Sequence, residues 1–320
     1  LYDVGLDNVA QRKANMFRFI VSRTIWLLIT LWAVFTVSFC LMRAVPGGPL
    51  DRERRLDPQI ERNLAARYHL DDPFWKQYVR ELGNVLRFDL GYSYRMADFT
   101  VNQIIAQGLP VSAALGGAAM LFALAVGIPT GVVSAVRRNG LADRVLMTAA
   151  TLGIALPNFV IAGFAIILFV FLLPWFPAAG WGTPSHLVLP AVCLGAPYAA
   201  YIARLTRTGM LDVLRQDYIR TARAKGLSAI AVIFRHALRT ALTPVVSFLG
   251  PAVAGIVTGS PVVEKIFAIP GLGVHFVEAA IQRDYTLAMG LVLLFTLLLY
   301  GANVLVDAAY VLLDPRVKLR

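Results

Sequence analysis

Long apolar runs alternate with polar segments along this chain, and their lengths set the first expectation. A transmembrane helix needs about 20 apolar residues, each rising about 1.5 Å. Six runs meet or approach that length: residues 25–42, 111–136, 145–173, 187–203, 241–260 and 286–313. Arg18 and Arg23 precede the first run, and Pro46-Gly47-Gly48-Pro49 ends it. The pattern predicts an all-α integral membrane protein with six transmembrane helices. Prolines at 129, 157, 244 and 251 are expected to kink or break their helices, with Pro157-Asn158 interrupting the third run. Gly127-x3-Gly131 and Gly255-x3-Gly259 place small residues one turn apart, where helix backbones approach closely.

The longest polar segment, residues 46–108, is too polar to cross lipid. Its nine acidic and nine basic residues balance. Helix-compatible stretches at 58–68 and 74–88 predict a small external region with amphipathic helices. Residues 1–15 precede a natural-looking start at Met16 and are read as a native extension or a cloning remnant. The first apolar run is long and lacks a small-residue cleavage pattern, so it reads as a span and not as a cleaved leader. The organisation expected is therefore an extension at 1–15, a first span within 16–45, an external region at 46–108, and a five-helix core at 109–320.

Charge changes the picture from a set of spans to a topology. The stretch through Thr24 has four basic and two acidic residues, 137–144 has three and one, 204–239 has eight and two, and 314–320 has three and one. These alternate segments sum to +12, while the intervening ones stay near zero. The positive-inside rule then places both termini and the 204–239 loop in the cytoplasm. Composition agrees: 58% of the 320 residues are hydrophobic, 15% are charged, and mean hydropathy is +0.66. The net charge of +11 sits in short loops between spans, which points to topology and not to nucleic acid. Cys40 and Cys193 lie inside apolar runs and read as reduced packing residues.

One basic stretch, residues 217–240, does not look like a plain connector. Tyr218, Ala222 and Lys225 fall three or four residues apart, a spacing that puts them on one helical face. Gly226 interrupts, and glycine tolerates the left-handed backbone that ends helices. Ser228 is a good N-cap for a second helix running towards Leu238. The expectation is helix, glycine break, capped helix, held outside the lipid as a docking surface. A solvated loop is the plainer alternative.

Familiar chemistry is absent from the sequence. No G-x-x-x-x-G-K-[ST] phosphate loop occurs, so ATP hydrolysis by this chain is not expected. Gly271-Leu272-Gly273 is too short for a dinucleotide fingerprint and reads as a turn. His69, His186, His236 and His275 are scattered without metal-ligand spacing. No serine–histidine–aspartate set stands out. Polar residues inside the runs are few: Asn158, Asn303 and Asp307, the last two four apart on one helical face.

The 217–240 stretch resembles the EAA loop of bacterial ABC importer permeases, whose pattern is Glu-Ala-Ala-x3-Gly-x9-Ile-x-Leu-Pro. Aligned on Gly226, the first slots hold Arg220, Thr221 and Ala222, and the last hold His236, Ala237, Leu238 and Arg239. Ala222, Gly226 and Leu238 fit; the glutamate, isoleucine and proline positions differ. The form RTARAKGL followed by RHAL is similar to the dipeptide/oligopeptide permease branch. PGGP, YHLDDP, LPVS, IPGLG, RDYTL and DPRVK extend that similarity from Met16 to the end, and PGGPLDRERRL and ADFTVN look closest to the oligopeptide permease B subunit.

That resemblance implies a type I ABC importer permease fold in a bacterial inner (plasma) membrane, one half of a translocation pathway for peptides. It implies a second homologous permease, two ABC ATPase subunits and an extracytoplasmic peptide-binding protein as partners. ATP and magnesium would be held by the ATPases, with no cofactor or metal in this chain. The coupling helix would comprise Asp217, Tyr218, Arg220, Thr221, Ala222, Arg223, Ala224, Lys225, Gly226 and Leu227, with Arg220, Arg223 and Lys225 facing acidic ATPase residues. The 46–108 region would face the binding protein. Two other readings stay open on the residues alone: an ion-coupled secondary transporter with a working Asp307, and a non-transporting membrane scaffold. An intramembrane enzyme fits least.

Overall fold

The computed structural model describes residues 3–44, 59, 71–96 and 98–313, with backbone alone for 3–19 and 307–313. Among them no strand forms; one isolated antiparallel bridge joins Tyr92 to Thr100. Twelve α-helical segments follow in order, and two π-helical turns interrupt them. The chain divides into two compact units, residues 1–110 with 271–300 and 319–320, and residues 111–270 with 301–318.

Four helices are long and apolar enough to cross a membrane, at Ile20–Ala44, Val101–Val136, Pro184–Val213 and Tyr285–Val306. Two bent pairs bring the number to six if each is one span. The six-run expectation thus holds, with two of the runs broken.

The first unit contains α1 (Asp3–Ala44), α2 (Phe74–Leu86), the start of α3 (Val101–Val136), α11 (Leu272–Gln282) and the start of α12 (Tyr285–Leu313). Helix α2 matches the helix expected at 74–88; the other, at 58–68, lies outside the described residues except for residue 59. Tyr78, Leu82 and Val85 of α2 pack with Phe35 and Phe39 of α1 and Met289 and Leu293 of α12. Arg43 pairs with Glu81 at 3.1 Å, and the Thr36 and Tyr78 hydroxyls share a 2.8 Å hydrogen bond. At the entry to α2, hydrogen bonds from Arg80 and Lys76 hold the Asp72 carboxyl below the usual carboxylate range.

A buried carboxylate organises the rest of this unit. Asp284 caps α12, accepting from Leu287 N at 3.2 Å and Thr286 Oγ1 at 3.1 Å. It also accepts from Ser93 Oγ, and from Tyr94 N and Arg95 N at 3.2 Å each. Every oxygen lone pair of a buried carboxylate needs such a donor, and here they come from a turn some 190 positions away in sequence.

The second unit carries the rest of α3, then α4 (Leu141–Ala155), α5 (Asn158–Ile166) continued by a π turn (Ile167–Leu172), and α6 (Pro184–Val213). After them come α7 (Asp217–Ala224), α8 (Ala229–Ala231), a π turn (Val232–Ala237), α9 (Leu238–Ala241) and α10 (Thr243–Ile266). Where the sequence suggested one interrupted third span, α4 and α5 meet at 108° across Leu156 and Pro157. Proline lacks the N–H that would continue α4, and its ring drives the preceding residue to extended backbone, ψ 127° at Leu156. The fifth run bends by 51° where α9 gives way to α10, with Pro244 in the first turn of α10.

Small residues hold α3 against α6. A Cβ added at Gly127 would lie 2.6 Å from the carbonyl oxygen of Ala199, and one at Gly131 would lie 2.5 Å from that of Ala203. Gly195 of α6 answers with the same 2.5 Å approach to Ala119 O. Backbones approach closely here, with Ile202, Thr206 and Phe122 packed beside the glycines, as the Gly127-x3-Gly131 spacing predicted. Gly255 instead faces the Tyr198 side chain.

Helix α10 also extends past the apolar run at 241–260, into the segment that separates it from the run at 286–313. It runs through Pro261 to Ile266 and carries Glu264, which is fully buried and accepts from Ser112 Oγ at 2.8 Å. Most of the remaining stretch is α11.

Candidate docking site

The basic segment after α6 folds as its residues suggest. Its first part, 204–213, is not loop: α6 continues as one helix to Val213. A short turn then leads to α7. Thr221 Oγ1 donates to Asp217 O at 3.0 Å, and the helix closes with Lys225 N donating to Thr221 O at 3.0 Å. Gly226 follows at φ 78°, a left-handed conformation that side chains disfavour, with Gly226 N donating to Arg223 O at 3.0 Å. Ser228 caps the next helix, its Oγ accepting from Ala231 N at 3.3 Å.

Two side chains anchor α7. Ile219 is fully buried and Ala222 nearly so, one turn apart. They join a cluster with Ala135 of α3, Met210 and Val213 of α6, Val232 and Ala237 of the π turn, and Ala241 of α9. Burial of an isoleucine side chain stabilises by roughly 1.5–3 kcal/mol, enough to dock a helix of two turns. Tyr218, Ala222 and Lys225, expected on one face, differ in burial. Ala222 points inward beside Ile219, while Tyr218 and Lys225 stay outside.

Gly209 completes the mount. A Cβ there would collide with the carbonyl of Ala241, so α6 and α9 touch backbone to backbone beside the cluster. That glycine has no partner at small-residue spacing in the sequence, and no local pattern signals it.

What remains outside is a mixed surface. Asp217, Tyr218, Arg220, Thr221, Arg223, Ala224, Lys225, Gly226 and Leu227 are all exposed. Asp217 and Arg220 approach at 3.5 Å but are almost fully solvated, so that pair adds little. Ile230 and Phe234 expose 70% and 64% of their surface beside them. Exposed aromatic and aliphatic side chains ringed by arginine and lysine make the composition of a protein-contact surface. Among the described residues no group of three or more histidine, cysteine, aspartate or glutamate side chains comes together as a metal site. Of the polar residues singled out within the runs, Asn303 packs by its Oδ1 near Gly250, and the Asp307 side chain lies outside the described residues.

The helices and the anchored helix–glycine–helix segment together define a polytopic helical membrane protein that presents a basic contact surface. Comparison with known proteins gives that class a family. The model for "Binding-protein-dependent transport system inner membrane component" matches residues 127–319, and the chain belongs to this family. It is similar to the dipeptide transport system permease protein DppB of Bacillus subtilis (strain 168), 47% identical over 304 residues, covering 95% of this chain and 99% of that one. It is also similar to the oligopeptide transport system permease protein OppB of Salmonella typhimurium (strain LT2), 43% identical over 305 residues, covering 95% and 100%. The fold is shared with a chain of the MetNI methionine ABC transporter in an inward-facing conformation. That match has a TM-score of 0.58 at 19% identity and covers 66% of this chain and 97% of that one. The dipeptide/oligopeptide permease resemblance read from the sequence is thus met, with relatives of both names at comparable identity.

Proposed function

We propose that this chain is the permease subunit of an ATP-driven importer for peptides, oligopeptides or dipeptides, and forms half of the translocation pathway. Near-full-length identity to permeases of dipeptide and oligopeptide transport systems supports the substrate class. The single observation that carries the coupling role is the geometry of residues 217–228. Ile219 and Ala222 fix α7 to the ends of α3 and α6, and Gly226 turns the chain so that Tyr218, Arg220, Arg223, Lys225 and Leu227 face outward.

The assembly consists of this chain, a second homologous permease, two ABC ATPases and an extracytoplasmic peptide-binding protein. The ATPases hold ATP and magnesium, and this chain contributes no catalytic group. Acidic and apolar ATPase side chains meet the basic and apolar α7 surface. A push on α7 passes through Ile219 into α6. Both termini and the α7 segment lie in the cytoplasm, as the charge of the loops supports. The 46–108 region, including α2 and the first turns of α3, lies outside and receives the binding protein.

The test is Gly226→Val in the assembled complex. Valine at φ 78° is strained, so the turn after α7 must change while the buried anchors stay. The expected result is normal membrane abundance with peptide uptake lost. Wild-type uptake and wild-type ATP hydrolysis in that variant would overturn the coupling role. Solute movement by the purified chain alone, driven by an ion gradient, would instead establish a secondary transporter.

A further inference from the structure

A second basic feature lies away from α7. An open cavity of about 600 Å³ is lined by Asn139, Asp143, Arg144, Met147, Thr151, Arg204 and Arg207. Its charge is unbalanced, with three arginines against one carboxylate. The carboxylate is already engaged: Asp143 receives Arg207 Nε and Nη2 at 2.7 and 2.8 Å, Asn139 N at 2.8 Å, and Ser134 Oγ. Arg207 is thereby held rigid and largely neutralised. Arg144 and Arg204 are both exposed, and among the described residues neither side chain forms an ion pair or a hydrogen bond.

The surroundings select the ligand. The polar lining from α4 comprises Asp143, Arg144 and Thr151, and the adjoining strip of the same helix is apolar. Leu141, Val145 and Leu152 expose 74%, 58% and 57% of their surface. From Arg144 the helix runs into the apolar run, so one molecule at this site meets cations at its head and an aliphatic strip along its length. A soluble anion would use the arginines and leave the strip uncovered. Basic pockets between helices at the membrane boundary suit anionic lipid headgroups, and an arginine fork suits a phosphate.

We propose that this cavity is a binding site for an anionic phospholipid. Arg144 and Arg204 clasp the phosphodiester, and the acyl chains lie along Val145 and Leu152. The Asp143–Arg207 pair is the rigid floor. Placement in the inner leaflet rests on the cytoplasmic orientation given under the proposed function; the site itself does not.

The test uses the full-length chain with its bound partner subunits in detergent, without ATP or peptide, so its outcome is independent of transport and of orientation. Retention of dioleoyl phosphatidylglycerol is measured by native mass spectrometry against dioleoyl phosphatidylcholine. The wild type is expected to retain phosphatidylglycerol preferentially. Arg144→Gln with Arg204→Gln is expected to weaken that retention at least about tenfold, since each arginine near an anionic headgroup adds about 1 kcal/mol. Arg144→Lys with Arg204→Lys keeps the charge but loses the fork, and its retention is expected to fall between the wild type and the glutamine variant. Equal retention of both lipids by the wild type overturns the proposal, and so does unchanged preference in the glutamine variant. Protection against thermal unfolding by inorganic phosphate as strong as that by phosphatidylglycerol would make this a soluble-phosphate site and overturn the lipid.

Discussion

Asp143 and Arg207 stand 64 positions apart, yet the guanidinium closes on the carboxylate through two parallel hydrogen bonds of 2.7 and 2.8 Å. The Asp143 side chain is 5% exposed and that of Arg207 26%. Removing one member leaves the other charged and largely desolvated. Asp143→Ala is expected to destabilise by about 3 kcal/mol. Arg207→Met added to it is expected to recover part of that loss. Thermal unfolding in detergent, run as a double-mutant cycle, measures both, and additive single effects would show the pair to be uncoupled.

Two glycines of α3 give opposite expectations. A Cβ at Gly131 would lie 2.5 Å from Ala203 O, whereas one at Gly117 meets nothing within 4 Å. Gly131→Ala is therefore expected to cost about 1–3 kcal/mol as backbones are forced apart. Gly117→Ala is expected to be neutral or to stabilise by up to about 1 kcal/mol, because it only removes chain entropy. Unfolding temperatures of the two variants, side by side, decide it.

Gly226 differs from both, since open space surrounds it and only its φ of 78° is special. Function is expected to fall in the order glycine, asparagine, alanine, valine, following tolerance of left-handed backbone and not side-chain volume. Alanine there costs about 1–2 kcal/mol locally. The readout is peptide uptake per ATP hydrolysed at matched membrane abundance. A ranking by volume, with alanine above asparagine, would point to crowding in a partner groove.

Asp284 should behave as a clasp. Asp284→Asn keeps the shape but offers an amide where donors converge, and the loss of hydrogen bonds to a charged acceptor costs about 1.5–3 kcal/mol. Hydrogen exchange should accelerate together in the turn at 93–96 and in the first turn of α12, since Tyr94 N, Arg95 N and Leu287 N all donate to this side chain. Acceleration in only one of the two would mean the clasp is not shared.

Features that depend on neighbouring residues were legible in the sequence. The positive φ at Gly226, the Ser228 cap and the close approach at Gly127 and Gly131 each follow from residue type at short spacing. Features that depend on distant chain were not. Asp284 reads as an ordinary loop charge until Ser93 and Tyr94 are brought to it. Asp143 reads as one acidic residue in a basic loop until Arg207 arrives on an extended α6. Glu264 lies beyond the apolar run at 241–260 and reads as a connector charge, whereas α10 continues through Pro261 to Ile266. The burial of Ala222, apart from the exposed Tyr218 and Lys225, follows from Ile219, whose larger side chain sets which edge of that face is buried.

The glycine seam between α3 and α6 also has a mechanical meaning. Carbonyls of Ala199 and Ala203 rest directly on the Gly127 and Gly131 backbone, and that of Ala119 on Gly195, with Ile202, Thr206 and Phe122 packed beside them, so the two helices interlock closely. Such a pair transmits displacement as a single strut. Displacement of the foot of α6 therefore carries α3 with it, and relative bending falls instead to the sharp elbow beside Pro157 or the shallower one before Pro244.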